Sequence, residues 1–242
     1  MKPFLLIICN SLFSLTLLAQ WNGFATFSRY PVSEPVNLFH IKDITGDGVA
    51  DITTLYSAGH LKMGFLTAKG NGQFYAEQTV DKEENYFLSD MADLNGDGLT
   101  DMVSSSYWAN GFKIFFGKGA GQFSEVVYVA TGVHGRAVKC VDINKDGKTD
   151  IVSVTSGSGN TISLHVFIGK GDGSFFPKKT FPSVLDTSKD IFITDKNGDG
   201  LPDVAVSSSF PWLVIFYQTP EGNFVPGYVP TFTTARVNFH DF

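Results

Sequence analysis

The sequence predicts an all-β fold built from repeated units, and three observations lead to this prediction. The 242 residues include 25 Gly and 23 Phe, a combination typical of short strands joined by tight turns. β-prone runs recur along the whole chain, and none of them has the period of an amphipathic helix. An acidic segment also repeats at intervals of about 50 residues.

The acidic segment occurs four times and sets the phase of the repeat. Its pattern is Asp-x-Asn-x-Asp-Gly-x-x-Asp, and the first Asp residues of successive copies lie 50, 49 and 53 residues apart. The copies span residues 43–51, 93–101, 142–150 and 195–203. A fixed period of this length is typical of stacked supersecondary units such as propeller blades.

Each repeat predicts four strands in a constant order. A β-prone run follows each acidic segment, at residues 52–56, 102–106, 151–155 and 204–208. An apolar, aromatic run comes next, at residues 61–66, 112–116, 162–168 and 212–217. A Gly-containing turn then ends in Phe, at residues 69–74, 118–123, 170–175 and 219–224. Another β-prone run and a last short strand lead into the next acidic segment, and repeated four-stranded antiparallel units predict a β-propeller.

The two ends of the chain carry partial units. Residues 23–32 are similar to the fourth strand of an earlier unit, and residues 236–242 are similar to the strand that enters a fifth acidic segment, with Asp241 as its first ligand. The sequence therefore predicts four complete repeats plus partial strands at both ends. Because a closed propeller needs a whole number of blades, we expect the chain to be a fragment of a larger propeller.

Residues 1–19 predict a secretory signal peptide. Lys2 provides the positive start, an interrupted apolar stretch follows, and Ala19 is a small residue at the expected cleavage point. The apolar stretch is too short for a transmembrane helix, so we expect a secreted or cell-surface protein without a transmembrane segment. A buried N-terminal strand or helix is the alternative. The propeller region then covers residues 20–242, where Cys140 has no second cysteine for an intrachain disulfide.

The acidic segments have the composition of calcium-binding loops. Side-chain oxygens stand at positions 1, 3, 5 and 9, and the carbonyl of position 7 can complete an oxygen shell. Gly at position 6 allows a sharp turn, which we expect to have positive φ. The absence of His and Cys disfavours zinc and copper. The predicted ligands are Asp43, Thr45, Asp47, Val49 and Asp51 in the first copy; Asp93, Asn95, Asp97, Leu99 and Asp101 in the second; Asp142, Asn144, Asp146, Lys148 and Asp150 in the third; and Asp195, Asn197, Asp199, Leu201 and Asp203 in the fourth.

The acidic segments also allow interpretations other than calcium binding. Asp, Asn and Gly also favour hairpin turns, so four turns without metal are the alternative. Four copies in phase, each with three Asp residues, favour calcium. The first copy is the weakest, because Thr45 stands where the other copies have Asn. The bidentate Glu that ends an EF-hand loop is missing from all four copies.

The acidic pattern, the β-rich run after it and a Phe-x-Gly-Lys-Gly-x-Gly-x-Phe turn together resemble the FG-GAP/VCBS repeats. These repeats form the β-propeller of integrin α-subunits and of many secreted bacterial proteins. The resemblance covers nearly all of the chain after residue 19 and implies a propeller, usually of seven blades. It also implies calcium in the loop between the first and second strands of each blade, with Asp43, Asp47, Asp51 and their equivalents as ligands.

No catalytic constellation is recognisable in the sequence, so we predict that the protein is not an enzyme. None of the histidines has a partner at catalytic or metal spacing along the sequence, and we expect ordinary strand or loop residues. These are His40, His60, His134, His165 and His240. Cys140 aligns with apolar residues in the other repeats, which predicts a small buried side chain.

Aromatic residues mark a candidate ligand surface at the end of the blades opposite the acidic loops. They are Tyr107, Trp108, Phe210 and Trp212. Aromatic faces suit stacking on sugar rings or burial against a protein, and packing between blades is the alternative. The formal net charge of −6, without a Lys/Arg cluster, argues against nucleic acid as a partner.

Two functions follow from these predictions. The first is a secreted calcium-binding propeller module that binds an extracellular protein or glycan, as in adhesion. The second is a noncatalytic part of a secreted polysaccharide-acting enzyme whose catalytic segment lies outside this chain.

Overall fold

The structure is a computed structural model. It describes residues 6–10, 14–18, 27–56, 61–82, 87–105, 110–130, 135–156, 162–183, 188–208 and 212–230. Within these ranges the chain forms nineteen β-strands and no helix, which confirms the all-β prediction. No helix in this described part is long and apolar enough to cross a membrane.

Sixteen strands form four antiparallel sheets of four strands each, and these sheets are the blades of a four-bladed β-propeller. Blade 1 contains β4 (Val36–Lys42), β5 (Asp51–Tyr56), β6 (Leu61–Leu66) and β7 (Gln78–Lys82). Blade 2 contains β8 (Phe87–Ala92), β9 (Asp101–Ser105), β10 (Gly111–Gly117) and β11 (Phe123–Ala130). Blade 3 contains β12 (Gly135–Val141), β13 (Asp150–Ser156), β14 (Ile162–Phe167) and β15 (Lys179–Pro182). Blade 4 contains β16 (Ser188–Thr194), β17 (Asp203–Ser208), β18 (Trp212–Gln218) and β19 (Phe224–Pro230).

Strand order in every blade follows chain order, and each strand pairs with the next. The pairing is antiparallel throughout, with irregular register in the first pair of each blade, for example between Val36 and Leu38. The four predicted strands per repeat are therefore confirmed. Because successive strands reverse direction, the loops after strands one and three lie at one end of a blade.

A separate sheet precedes the blades. It consists of β1 (Leu6–Asn10), β2 (Ser14–Leu18) and β3 (Phe27–Pro31), paired in that order. The strand predicted at residues 23–32 thus includes β3. The segment predicted as a signal peptide contains β1 and β2. Strands in this segment correspond to the alternative of an N-terminal strand. Cleavage of the segment stays a prediction, because the fold does not test it. The strand predicted at residues 236–242 lies outside the described residues.

Apolar cores lie between neighbouring blades. Ile44 packs with Phe65 of blade 1 and Phe115 of blade 2. Leu94 has the equivalent place in the core between blades 2 and 3, and Ile143 has it between blades 3 and 4. These three residues occupy position 2 of their acidic segments. Burial of that side chain therefore fixes each of the first three acidic loops to the body of the propeller.

Candidate metal centre

Each acidic segment forms the loop between the first and second strands of its blade. Position 1 follows the first strand, and the Asp at position 9 is the first residue of the second strand. All four loops are described completely. The four glycines at position 6 have φ between 82° and 83°, as expected for this left-handed turn, and they are Gly48, Gly98, Gly147 and Gly200.

The Asp at position 1 closes each loop onto its own backbone. In the first loop, Asp43 Oδ1 accepts the N–H of Gly46 at 2.7 Å, and Asp43 Oδ2 accepts the N–H of Gly48 at 2.7 Å. Partial burial of Asp43 would raise its pKa, but these N–H groups and the Thr45 hydroxyl lower it. In every other loop the position 1 carboxylate also accepts the N–H of position 6, at 2.8 Å.

The side chains at positions 3 and 5 are joined in three of the loops. In the second loop, Asn95 Nδ2 donates to Asp97 Oδ2 at 3.0 Å, while Asp97 N–H donates to Asn95 Oδ1 at 3.0 Å. The third and fourth loops repeat this pair of contacts. In the first loop, the Thr45 hydroxyl instead donates to Asp43 at 3.2 Å. The structure thus brings positions 1, 3 and 5 together and sets the first loop apart.

Position 7 follows the same arrangement in every loop. Its N–H donates to the position 5 carboxylate, at distances between 2.8 and 2.9 Å. The residues at this position are Val49, Leu99, Lys148 and Leu201. This bond turns the backbone around the position 5 side chain, at the exposed side of the loop.

The Asp at position 9 has a role that the sequence analysis missed. Asp101 is fully buried, its Oδ2 accepts the N–H of Leu94 at 2.8 Å, and its Oδ1 accepts the N–H of Gly117 at 2.8 Å. Burial raises the pKa of Asp101, and these two N–H groups oppose the rise. The carboxylate therefore connects the acidic loop to the end of the third strand.

The other three repeats have the same bridge from position 9. Asp51, Asp150 and Asp203 are fully buried, and each accepts one N–H from position 2 of its loop and one from the end of its third strand. The sequence signal for this role was the position of the Asp directly before an apolar, buried strand run. A charged side chain there needs backbone partners, because burying it alone would be costly.

The donor chemistry of each loop fits a calcium ion. Positions 1, 3 and 5 supply oxygens only, two from carboxylates and one from an amide or hydroxyl. Within the described ranges, no three His, Cys, Asp or Glu side chains are grouped so as to hold a metal ion. It stays a prediction that the loops coordinate calcium, and that the position 9 carboxylate and the position 7 carbonyl are among the ligands.

The aromatic ligand surface is not tested by the structure. Tyr107, Trp108 and Phe210 lie outside the described residues. Trp212 begins β18, but its side chain is not among those described. The surface therefore stays a prediction.

The structure brings together charged residues that are distant in sequence. His40 Nδ1 lies 3.7 Å from Asp90 Oδ1, and Lys139 Nζ lies 3.8 Å from Asp90 Oδ2. All three occupy the third position before an acidic segment, on the first strands of blades 1, 2 and 3. Burial lowers the pKa of His40, Asp90 opposes the shift, and Lys139 adds to it. Their shared position in successive repeats was the available signal, but contact between them depends on how closely the first strands of adjacent blades approach.

His165 is a buried strand residue, and Cys140 is a partly buried one. His165 lies between the hydroxyls of Thr155, 2.9 Å from Nε2, and Thr180, 3.0 Å from Nδ1. Burial lowers the pKa of His165 to about 4. Cys140 has a free thiol, packs against the core between blades 2 and 3, and has a pKa raised by burial.

Comparison with known families identifies the repeats. Residues 43–104, 93–153 and 142–206 match the FG-GAP-like repeat. These matches cover more than half of the chain, which therefore belongs to the FG-GAP-like repeat proteins, as the resemblance implied. A propeller built from such repeats fits a noncatalytic module. A search of the curated proteins found no match.

Solved structures share the fold at low sequence identity. A lectin of Agrocybe aegerita, whose structure concerns specific recognition of non-reducing terminal N-acetylglucosamine, aligns with a TM-score of 0.59 and 19% identity over 95% of this chain and 65% of that chain. The NanB sialidase of Streptococcus pneumoniae aligns with a TM-score of 0.50 and 15% identity over 90% of this chain and 35% of that chain. The chain thus spans less than two thirds of either solved chain.

Proposed function

We propose that this chain is a secreted, calcium-stabilised β-propeller module that binds a glycan. The observation that carries the proposal is the repetition of one hydrogen-bonded loop, with the same three Asp residues, in four successive blades. Repetition of a catalytic site at four places would be unusual, whereas a stabilising site is useful once per blade. The lectin with the same fold supports a glycan over a protein as the partner.

Calcium would supply positive charge to each loop. The carboxylates at positions 1 and 5 repel each other, and a divalent cation between them removes that repulsion. In each loop the residues at positions 1, 3, 5 and 9 would hold the ion, together with the carbonyl of position 7. The protein itself closes the loop through the position 1 carboxylate and holds it against the blade through position 9. An exported chain with one free cysteine outside its leader has no disulfide to stabilise it, so bound metal is the natural substitute.

Thermal melting in calcium and in chelator tests the stabilising role. Extracellular calcium sites have dissociation constants of about 10⁻⁴–10⁻³ M, so 1 mM calcium adds about 0.4–1.4 kcal/mol per site by mass action. Four sites would add about 2–6 kcal/mol and raise the melting temperature by about 4–24 °C. Equal melting temperatures in calcium and in chelator would contradict the proposal.

A variant that lacks the position 5 charges makes this test specific. It combines Asp47→Asn, Asp97→Asn, Asp146→Asn and Asp199→Asn. The Asn oxygen still accepts the N–H of position 7. Relief of the repulsion with the position 1 carboxylate opposes the loss of the exposed contact from the position 3 amide. The variant should therefore melt close to the wild type in chelator and lose most of the calcium shift. Asp172→Asn is the matched control, because Asp172 is an exposed turn residue outside the loops that also accepts an N–H two residues further on.

Binding to an array of immobilised glycans tests the second part of the proposal. The wild-type chain in calcium should bind a defined subset of glycans, and chelator should weaken that binding by loosening the blades. A chain that shows a calcium shift but binds no glycan would retain the metal role and lose the glycan role.

A further inference from the structure

The outer edges of the four blades differ in how well they are blocked against pairing. First strands of neighbouring blades contact each other, so the fourth strand of each blade is its outermost strand. These outermost strands are β7, β11, β15 and β19. An open edge strand can pair with another chain, and proteins commonly block such edges with Pro, with Lys or with short strands.

Three of the four outer edges carry blocking residues. β7 has five residues and ends in Asp81 and Lys82. β15 has four residues and contains Lys179 and Pro182. β19 has seven residues but contains Pro226 and Pro230, which have no N–H to donate to a further strand. These three strands are therefore poor partners for an additional strand.

The outer strand of blade 2 has none of these features. β11 has eight residues, contains no Pro or Lys, and has Glu125 as its one charged residue. Residues 126–129 are β-branched or aromatic, which favours strand pairing. Residues 126–130 pair in regular register with β10, and the irregularity in this pair of strands lies before them. In the described part of the chain β10 is the one strand that pairs with β11, so the other edge of residues 126–130 is open.

The side chains at this edge are exposed on both faces of the sheet. Val127 is 43% exposed and Tyr128 is 49% exposed. Successive side chains of a strand point to opposite faces, so neither face is covered at the edge. Tyr128 packs over Gly111 of β10, where an added Cβ would lie 2.7 Å from the Tyr128 hydroxyl oxygen. An incoming strand would therefore find backbone N–H and C=O groups along the edge and an accessible apolar or aromatic side chain on each face.

We propose that the outer edge of β11 pairs with the same edge of a second copy of this chain, antiparallel and about a two-fold axis. An axis beside Tyr128 places the two Tyr128 residues opposite each other and pairs residues 126–130 of both copies completely. Opposed aromatic residues stabilise an antiparallel pair of strands. The two Glu125 residues then lie at opposite ends of the paired stretch, so like charges do not face each other.

This self-complementarity favours a second copy over a strand of another protein. A two-fold contact requires one surface to match itself, and residues 126–130 are uncharged and have an aromatic residue at their centre. A strand of another protein would need the same uncharged, apolar pattern, which the second copy already has. Pairing would join the four strands of blade 2 in each copy into one sheet of eight strands.

The contact is small, which sets the expected affinity. Five residues of antiparallel strand are about 17 Å long, so the buried area is below that of a standard protein interface. We expect reversible dimers with a dissociation constant in the micromolar range or weaker. The inference concerns blade 2 alone and is independent of the calcium and glycan roles proposed above.

Analytical ultracentrifugation of the full chain, from micromolar to near-millimolar concentration, measures the pairing. Physiological salt screens the formal net charge of −6 in this assay. Tyr128→Lys and Tyr128→Glu each place two like charges opposite each other at the axis, whereas an equimolar mixture of the two variants places Lys opposite Glu. Val225→Lys is the matched control, because Val225 is 56% exposed on the outer strand of blade 4. Thermal melting checks that each variant is folded.

We expect the wild type to dimerise reversibly, each Tyr128 variant alone to bind its own copy at least about tenfold more weakly, and the mixture to regain the dimer. Val225→Lys should behave like the wild type. Hydrogen exchange of the backbone amides at residues 126–130 should slow as the wild-type concentration rises, which tests the edge without any substitution.

A wild type that stays monomeric overturns the proposal and leaves the edge to an extended segment of another protein. The proposal is also overturned if the mixture fails to regain the dimer or if Val225→Lys weakens it equally. A dimer that leaves the exchange of residues 126–130 unchanged would show that the copies meet elsewhere, which again overturns it.

Discussion

The buried Asp at position 9 allows a prediction about a carboxylate that stabilises the fold even without metal. Asp101→Asn keeps the size of the side chain but replaces one acceptor oxygen by an NH₂ group. Because Asp101 accepts one N–H at each oxygen, the change breaks one of the two bonds and places a donor against a donor. Asp97→Asn is the matched variant, since Asp97 is exposed and its Oδ1 alone accepts a backbone N–H, from Leu99.

The size of the effect follows from these contacts. A hydrogen bond to a charged group contributes about 1.5–3 kcal/mol, and the unpaired buried N–H adds to the loss. Burial raises the pKa of Asp101, which means that the ionised form is partly disfavoured and the lower end of this range applies. We therefore expect a loss of about 2 kcal/mol, or about 4–8 °C in melting temperature for a chain of this size.

The assay is thermal melting of the wild type and both variants, in chelator and in calcium. Asp101→Asn should lower the melting temperature in both conditions. Asp97→Asn should match the wild type in chelator and fall below it only in calcium. If Asp101→Asn melts like the wild type in chelator, the bridge from position 9 does not stabilise the fold and our reasoning is wrong.

Three further predictions concern other parts of the fold. Gly169→Ala should lower the free energy of unfolding by about 1–3 kcal/mol in denaturant melts, because its Cβ would lie 2.2 Å from the Thr149 carbonyl oxygen. Ala68→Gly, at the same place in blade 1, should lower it less. The reverse order would contradict the steric argument. In calcium titrations, Asp97→Ala and Asp199→Ala should lose more stability than Asp47→Ala, because Thr45 already weakens calcium binding by the first loop. If Asp47→Ala loses the most stability, the position of the blade and not the ligand set determines the ranking of the sites. The pKa of His165 is about 4 in the fold, below its unfolded value of about 6.5. Acidification therefore protonates the unfolded chain first. The free energy of unfolding should fall by up to about 3 kcal/mol between about pH 6.5 and pH 4. His165→Gln should flatten that dependence in denaturant melts at pH 7 and pH 4.5, and an unchanged slope would assign it to other groups.

The sequence alone determined the parts of the structure that arise within one repeat. The β-prone runs, the acidic loop between the first two strands and the left-handed glycine at position 6 were all predicted and are present. The reason is that strand pairing inside a blade joins neighbouring segments, and turn chemistry depends on a few adjacent residues. β1 and β2 lie in the segment predicted as a signal peptide, whose cleavage stays a prediction.

Only the tertiary structure decided which residues of different repeats meet. His40 and Asp90 occupy the same position in successive repeats, but only the packing of the first strands of adjacent blades brings them together. Gln218 is an ordinary residue in the sequence, and only the distance between blades 3 and 4 leaves its Oε1 buried without a partner. Asp101 has the pattern of a metal ligand, and its depth in the blade also gives each of its oxygens a backbone N–H partner, which the pattern did not predict. Burial and packing between blades set these roles, and a repeat pattern records only what the blades have in common.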